Sequence, residues 1–206
     1  MANVFISFRY SDGVKYKEDL STKFKNDDDT LDFSEDEDRS KYTEETIKDF
    51  LYAKLRRSTV TIVLLTPNAI NHDKNFMGKY DDWMYDEIRY SLEDRENNRT
   101  NGLIAVYTPE AMQYLMYNSQ HTCKMCGKTS TVKTIKGVDN LFRKNMMNVK
   151  EEYKTNKCIG VYDGNYDSYC SLIAYDEFKE NFEKYIKIAK DKRDNMYKYD
   201  ITKRLQ

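Results

Sequence analysis

Glu87 stands four residues after Trp83, the chain's only tryptophan, in the run Asp82-Trp83-Met84-Tyr85-Asp86-Glu87-Ile88. On a helix this spacing sets a carboxylate beside an indole. The ring offers an apolar wall that partly desolvates the carboxylate and strengthens its field toward any cation nearby. The same residues also allow a plainer arrangement, in which Asp86 and Glu87 form a solvated helix face with Arg89. A second group of polar residues, Ser7, Arg9, Tyr10 and Asp12, follows a short apolar run. At a strand end before a helix N-terminus they suit a pyrophosphate or a ribose. Arg9 has the best chemistry for phosphate, although a capped loop with Arg9 in a surface ion pair accounts for it equally.

Cysteines supply a third group. Cys123-x-x-Cys126-Gly127 is half of a zinc ribbon, with His121 before it and Cys158 and Cys170 after it. The second half should be another close pair, yet 11 residues separate Cys158 from Cys170. A tetrahedral zinc site on Cys123, Cys126 and Cys158, completed by His121 or Cys170, is sterically conceivable. Reduced structural thiols are the preferred reading, and a redox pair is a further one. The fourth group is acidic: eight of the twelve positions in 27–38 are Asp or Glu, among them Asp32, with Ser34 in their midst. The segment lacks the Gly and the ligand spacing of an EF-hand and reads as a solvated loop.

The elements that must position these groups follow from periodicity. Residues 3–8 read as a strand, 14–25 as an amphipathic helix, 31–33 as a short strand or buried elbow, and 47–55 as a helix with a start signal at 43–46. Residues 58–66 (STVTIVLLT) and 102–108 (GLIAVYT) are continuously apolar, as strands covered on both faces are. Each ends in Thr-Pro, and these are the chain's two prolines. A Thr that accepts from free backbone N–H groups, with Pro at the first helical position, marks a strand-to-helix switch. Between them, 80–94 places Met84, Ile88 and Leu92 on one core-facing stripe. Residues 139–153 and 175–194 are expected to be helical. Strands alternating with helices predict a parallel α/β sheet, with ligands beyond the carboxyl ends of the strands. The chain divides into a core, 1–118, an insertion or extension packed on it, 119–174, and a C-terminal helix and tail, 175–206.

Composition narrows the classes. With 34 Lys+Arg against 35 Asp+Glu the net charge is −1, and the basic residues are scattered among acids, so no nucleic-acid partner is expected. The 18 Tyr, 9 Phe and one Trp argue against disorder. No run approaches the roughly 20 apolar residues of a membrane span. The N-terminus lacks the charged and apolar regions of a signal peptide, so no membrane association and a cytosolic location are expected.

Two signatures carry a resemblance: the opening Val4-Phe5-Ile6-Ser7-Phe8 and Trp83-x-x-x-Glu87 on the helix after the third strand. Together, over roughly 3–115, they resemble TIR domains, and in particular the TIR-like ThsB family of bacterial Thoeris antiphage systems. The resemblance implies a flavodoxin-like parallel sheet flanked by helices, here with a C-terminal extension. It implies NAD as a substrate, with Glu87 the catalytic carboxylate of an NAD glycohydrolase or ADP-ribosyl cyclase and a cyclic ADP-ribose type nucleotide as the signal. By the same resemblance Phe8, Arg9, Tyr10, Asp32, Ser34 and Trp83 line the nucleotide site. The implied partners are a nucleotide-sensing effector, a phage-derived activator and further copies of the chain. A TIR-like interaction module without turnover is the alternative. The acidic segment and the extension depart from minimal TIR domains.

Overall fold

The computed structural model describes residues 2–26, 30–32, 44–70, 83–94, 99–136, 140–158 and 160–204. Five parallel strands form one sheet in the order β2-β1-β3-β4-β7: β1 Ala2–Ser7, β2 Thr30–Asp32, β3 Val60–Leu65, β4 Gly102–Tyr107 and β7 Cys170–Ala174. This is the flavodoxin-like arrangement, in which the strand order reverses between β1 and β3. Every residue of β3 and β4 is buried, because helices cover both faces. On one face α1 (Tyr10–Lys25) and, toward the C-terminus, α6 (Tyr175–Glu180) and α7 (Phe182–Asp194) pack over Val4, Ile6, Ile62, Leu64 and Val106. On the other, α2 (Glu44–Arg57) and α4 (Trp83–Leu92) lie over Phe5, Val63, Leu65 and Ala105, beside the short α5 (Asn140–Lys144). Met84, Ile88 and Leu92 form the buried stripe of α4, as their spacing predicts. Among the described residues no helix is long and apolar enough to cross a membrane.

The first Thr-Pro switch works as chemistry dictates. Pro67 opens α3 (Pro67–Ile70), and Thr66 Oγ1 accepts from the Ala69 N–H at 3.2 Å. The second differs: Pro109 opens a 3₁₀ segment, Pro109–Tyr114, and Thr108 makes no side-chain cap.

Beyond it, the chain adds an antiparallel hairpin, β5 (Leu115–Thr122) and β6 (Thr129–Ile135), before it returns to the sheet as β7. The division at 119 falls inside β5, which begins at Leu115, and the span 119–174 takes in β7, Cys170–Ala174, which belongs to the core sheet. The helix expected over 139–153 is only α5. Asn145 ends it: its amide donates to the Leu141 carbonyl and the Thr202 carbonyl, each at 2.8 Å, competing with the helix ladder. Met147 then takes φ 48°. The C-terminal helix is likewise two helices, broken at Asn181, whose φ and ψ of −128° and 31° are not helical.

One buried cation sits where α7 meets β7. Lys192 is 4% exposed, and its Nζ donates to the Ser168 carbonyl and to Ser171 Oγ, both at 2.7 Å. Burial penalises the ammonium and pulls its pKa down to about 8. Between that value and about 10.4, the ordinary lysine value, the unfolded chain binds more protons than the folded one, so the contribution of Lys192 to stability rises with pH. From about pH 7 to about pH 9.5 the wild type is expected to gain about 2 kcal/mol relative to Lys192→Met. Paired urea titrations check this, and parallel pH profiles for the two proteins would contradict it.

Candidate functional site

In this topology the crevice for a ligand opens beyond the carboxyl ends of β1 and β3. Asp12, in the first turn of α1, bridges the two loops there. Its Oδ1 accepts from the Thr66 hydroxyl at 2.7 Å and its Oδ2 from the Asn68 N–H at 2.9 Å. Asn68 Nδ2 also donates to Ser11 Oγ at 3.0 Å. The carboxylate thus fixes the start of α1 against the start of α3. Asp12→Ala removes both bonds and is expected to cost about 1–2 kcal/mol. Asp12→Asn should lose less, because one acceptor oxygen remains; thermal melts that rank the two in the opposite order would refute the latch.

Phe8 and Arg9 form the loop so fixed, and Tyr10 opens α1, which starts four residues before the expected 14. Phe8 is half-buried, with its ring 6.3 Å from that of Tyr10, and Tyr10 is 53% exposed. Arg9 is half-buried in the extended residue before α1, and its carbonyl accepts from the Gly13 N–H at 2.7 Å. A Cβ on Gly13 would lie 3.0 Å from the Phe8 ring, so the glycine lets that side chain approach the first turn closely.

Glu87 is brought to the same end of the sheet from the α2/α4 face. The helix is pinned one turn further down: Ser91 Oγ donates to the Glu87 carbonyl at 2.7 Å and lies 2.8 Å from Thr61 Oγ1. Asn101 Nδ2 completes the group on Thr61 at 3.3 Å. One helical turn is about 5.4 Å and two strand residues about 6.6 Å. Glu87 therefore stands level with Val63 and with its register partner Ser7. Ser7, two residues after Phe5 on the same face, has a buried hydroxyl without a hydrogen-bond partner among the described residues. Glu87 itself is 8% exposed. Asp86 and Arg89, 2.9 Å apart and about a quarter exposed, pair on the solvated face. Beside it, Tyr90 stacks on Tyr52 of α2 at 4.0 Å, joining the two helices.

The remaining candidates are less well gathered. Asp32 ends β2 in register with Val4, four strand residues, or about 13 Å, short of Phe8, so its Cα is not at the level of the first loop. Trp83 is the first residue of α4, its side chain outside the described residues, as is Ser34 with most of the acidic segment. The cysteines are brought together: the sulfurs of Cys123, Cys126 and Cys158 all lie within 4.8 Å of one another. Hydrogen bonding from the Lys128 N–H pulls the Cys126 thiol down to about 7, and the bond to Cys126 raises that of Cys158. Cys170 is buried in the core, away from this cluster. A cavity of about 230 Å³ lies nearby, between the hairpin and α6–α7, lined by Ser130, Lys133, Tyr162, Ser168, Glu177 and Tyr185.

Sequence reasoning did not single out Thr61 and Ser91, which position Glu87. Their signal is weak: two small hydroxyl residues on facing apolar stripes. The family model of the Thoeris protein ThsB, TIR-like domain, matches residues 5–113, which run from β1 through the 3₁₀ segment and include Glu87 and the first loop. Both β5–β6 and β7 extend past the match.

Proposed function

The chain belongs to the ThsB TIR-like family of the Thoeris antiphage systems, and on that premise we propose that it cleaves the nicotinamide glycosidic bond of NAD and makes a cyclic ADP-ribose type signal, with Glu87 as the catalytic carboxylate. The observation that carries this reading is the burial of Glu87 at the carboxyl end of the sheet, level with Ser7 and apart from the Asp86–Arg89 pair. The nicotinamide of NAD is already cationic, so the bond from the anomeric carbon breaks with its electron pair passing to the ring nitrogen, and no general acid is required. The ribosyl cation left behind is stabilised by a nearby carboxylate, as in glycoside hydrolysis. Capture by a nucleophile within the same molecule closes a cyclic nucleotide; capture by water gives ADP-ribose.

Phe8 and Arg9 of the first loop, with Tyr10 at the start of α1, would hold the nucleotide, with Arg9 on phosphate. Ser34 and Trp83 would complete the site. The product would act on a nucleotide-sensing effector, and a phage-derived activator or self-assembly would switch the enzyme on. The test is release of nicotinamide from NAD by the wild type and by Glu87→Gln, with the protein alone and in lysate of phage-infected cells. Turnover by the wild type alone supports the reading. Equal rates for the two proteins would remove Glu87 from the chemistry, and no turnover in either condition would favour an interaction module.

A further inference from the structure

We propose that Cys123, Cys126 and Cys158 bind one zinc ion through their thiolates, fastening the tip of the β5–β6 hairpin to the loop that leads into β7. The proposal is independent of NAD cleavage. Its first support is convergence: three sulfurs from two segments, 32 positions apart from Cys126 to Cys158, meet within 4.8 Å. Tetrahedral zinc with bonds of about 2.3 Å sets its sulfurs about 3.8 Å apart, a separation that small side-chain rotations reach from here.

The second support is the turn that presents two of them. The Cys123 N–H donates to the Lys128 carbonyl at 2.9 Å and the Gly127 N–H to the Cys123 carbonyl at 2.8 Å. Gly127 holds φ 68°, with nothing within 4 Å of where a Cβ would stand. The glycine is thus needed for backbone conformation alone, and the turn it allows brings both thiols to the side where Cys158 lies.

A third support is the set of groups around the thiols. Asn156 Nδ2 points at Cys126 Sγ at 3.8 Å, while its Oδ1 accepts from the Cys158 N–H at 2.8 Å, so one side chain orients two ligands. Lys154, 3% exposed, donates to the Cys158 carbonyl at 2.8 Å. Three thiolates around a dication leave one negative charge, and this buried ammonium on the same loop offsets it. A Cys123–Cys126 disulfide would leave the third thiol, Asn156 and Lys154 without a common purpose.

The fourth position of the tetrahedron takes a nitrogen or oxygen donor, either water or His121, whose side chain lies outside the described residues. The consequence is mechanical. The hairpin is otherwise docked on this loop through Ser130, whose hydroxyl donates to the Tyr162 carbonyl at 3.2 Å and accepts from the Tyr162 N–H at 3.1 Å. Zinc would make that contact permanent and hold one wall of the neighbouring cavity.

The full chain, purified under reducing conditions with zinc in the growth medium, is expected to carry about one equivalent of metal by elemental analysis. X-ray absorption should show three sulfur neighbours at about 2.3 Å and one lighter atom. Cys158→Ser should lose the metal, whereas Cys170→Ala should keep it; circular dichroism establishes that each variant is folded. Chelation should speed hydrogen exchange in β5–β6 while leaving β3 and β4 unchanged. Absence of zinc from the folded wild type, its retention in Cys158→Ser, or a Cys123–Cys126 disulfide found by mass spectrometry would each overturn the proposal.

Discussion

Gly102→Ala is expected to lower the stability of this protein by about 3 kcal/mol or more. Gly102 opens β4 under α7, where a Cβ would lie 2.4 Å from the Ala189 carbonyl oxygen and 2.7 Å from its carbon. The obstacle is backbone, so no rotamer change relieves it, and α7 must lift from the sheet. That movement would also strain the bond from Arg193 Nε to the Thr100 carbonyl, 2.9 Å long. In a chain of this size each kcal/mol shifts the melting temperature by about 2–4 °C, so a drop near 10 °C is anticipated. A second change, Ala189→Gly, removes only the side-chain contact at 3.1 Å and should not restore the loss. Rescue by that pair would show that the side chain was the barrier. Gly164, with nothing within 4 Å of its absent Cβ, supplies the control, since Ala there should be tolerated.

For Glu87→Gln the expected fall in nicotinamide release is about 10²–10³-fold, the usual loss when one electrostatic stabiliser of a transition state is removed. The amide keeps the size of the carboxylate but not its charge, and circular dichroism checks that the variant is folded. Glu87→Asp retains the charge and withdraws it by one methylene. Misplacement of about 1 Å can cost about 10²-fold, so this variant should also be slow. Asp86→Asn breaks only the partly exposed pair with Arg89 and should leave the rate unchanged. A slow Asp86→Asn beside an active Glu87→Gln would transfer the role to the neighbouring acid.

The elements that position Glu87 are legible in the sequence because their signals are strong and local. Continuous apolar runs mark β3 and β4, and the 84-88-92 stripe marks the buried side of α4. The region after Tyr114 is less legible. β6 reads Thr129-Ser130-Thr131-Val132-Lys133-Thr134-Ile135, β-branched but with few apolar residues, because among the described residues it pairs with β5 alone and buries Ser130 and Thr134 along with Ile135. The breaks at Asn145 and Asn181 arise from side-chain amides that compete for backbone carbonyls, and helical periodicity runs straight across both. The helix expected from 14 starts at Tyr10, so Asp12 stands in its first turn, and the role of its carboxylate depends on Thr66 and Asn68, more than 50 positions away. The meeting of Cys158 with the Cys123-x-x-Cys126 turn is equally non-local and follows only once β7 has joined the sheet.

The partner of β4 on its outer side is β7, and 62 residues separate the two strands. During translation β4 therefore leaves the peptidyl-transferase centre long before the segment that will cover its edge exists. At about 5–20 residues per second, some 4–17 s pass between synthesis of Tyr107 and of Asp194 at the end of α7. For that interval the nascent chain presents an uncapped, wholly apolar ribbon to its surroundings, and chaperone occupancy of ribosome-bound chains should peak within it.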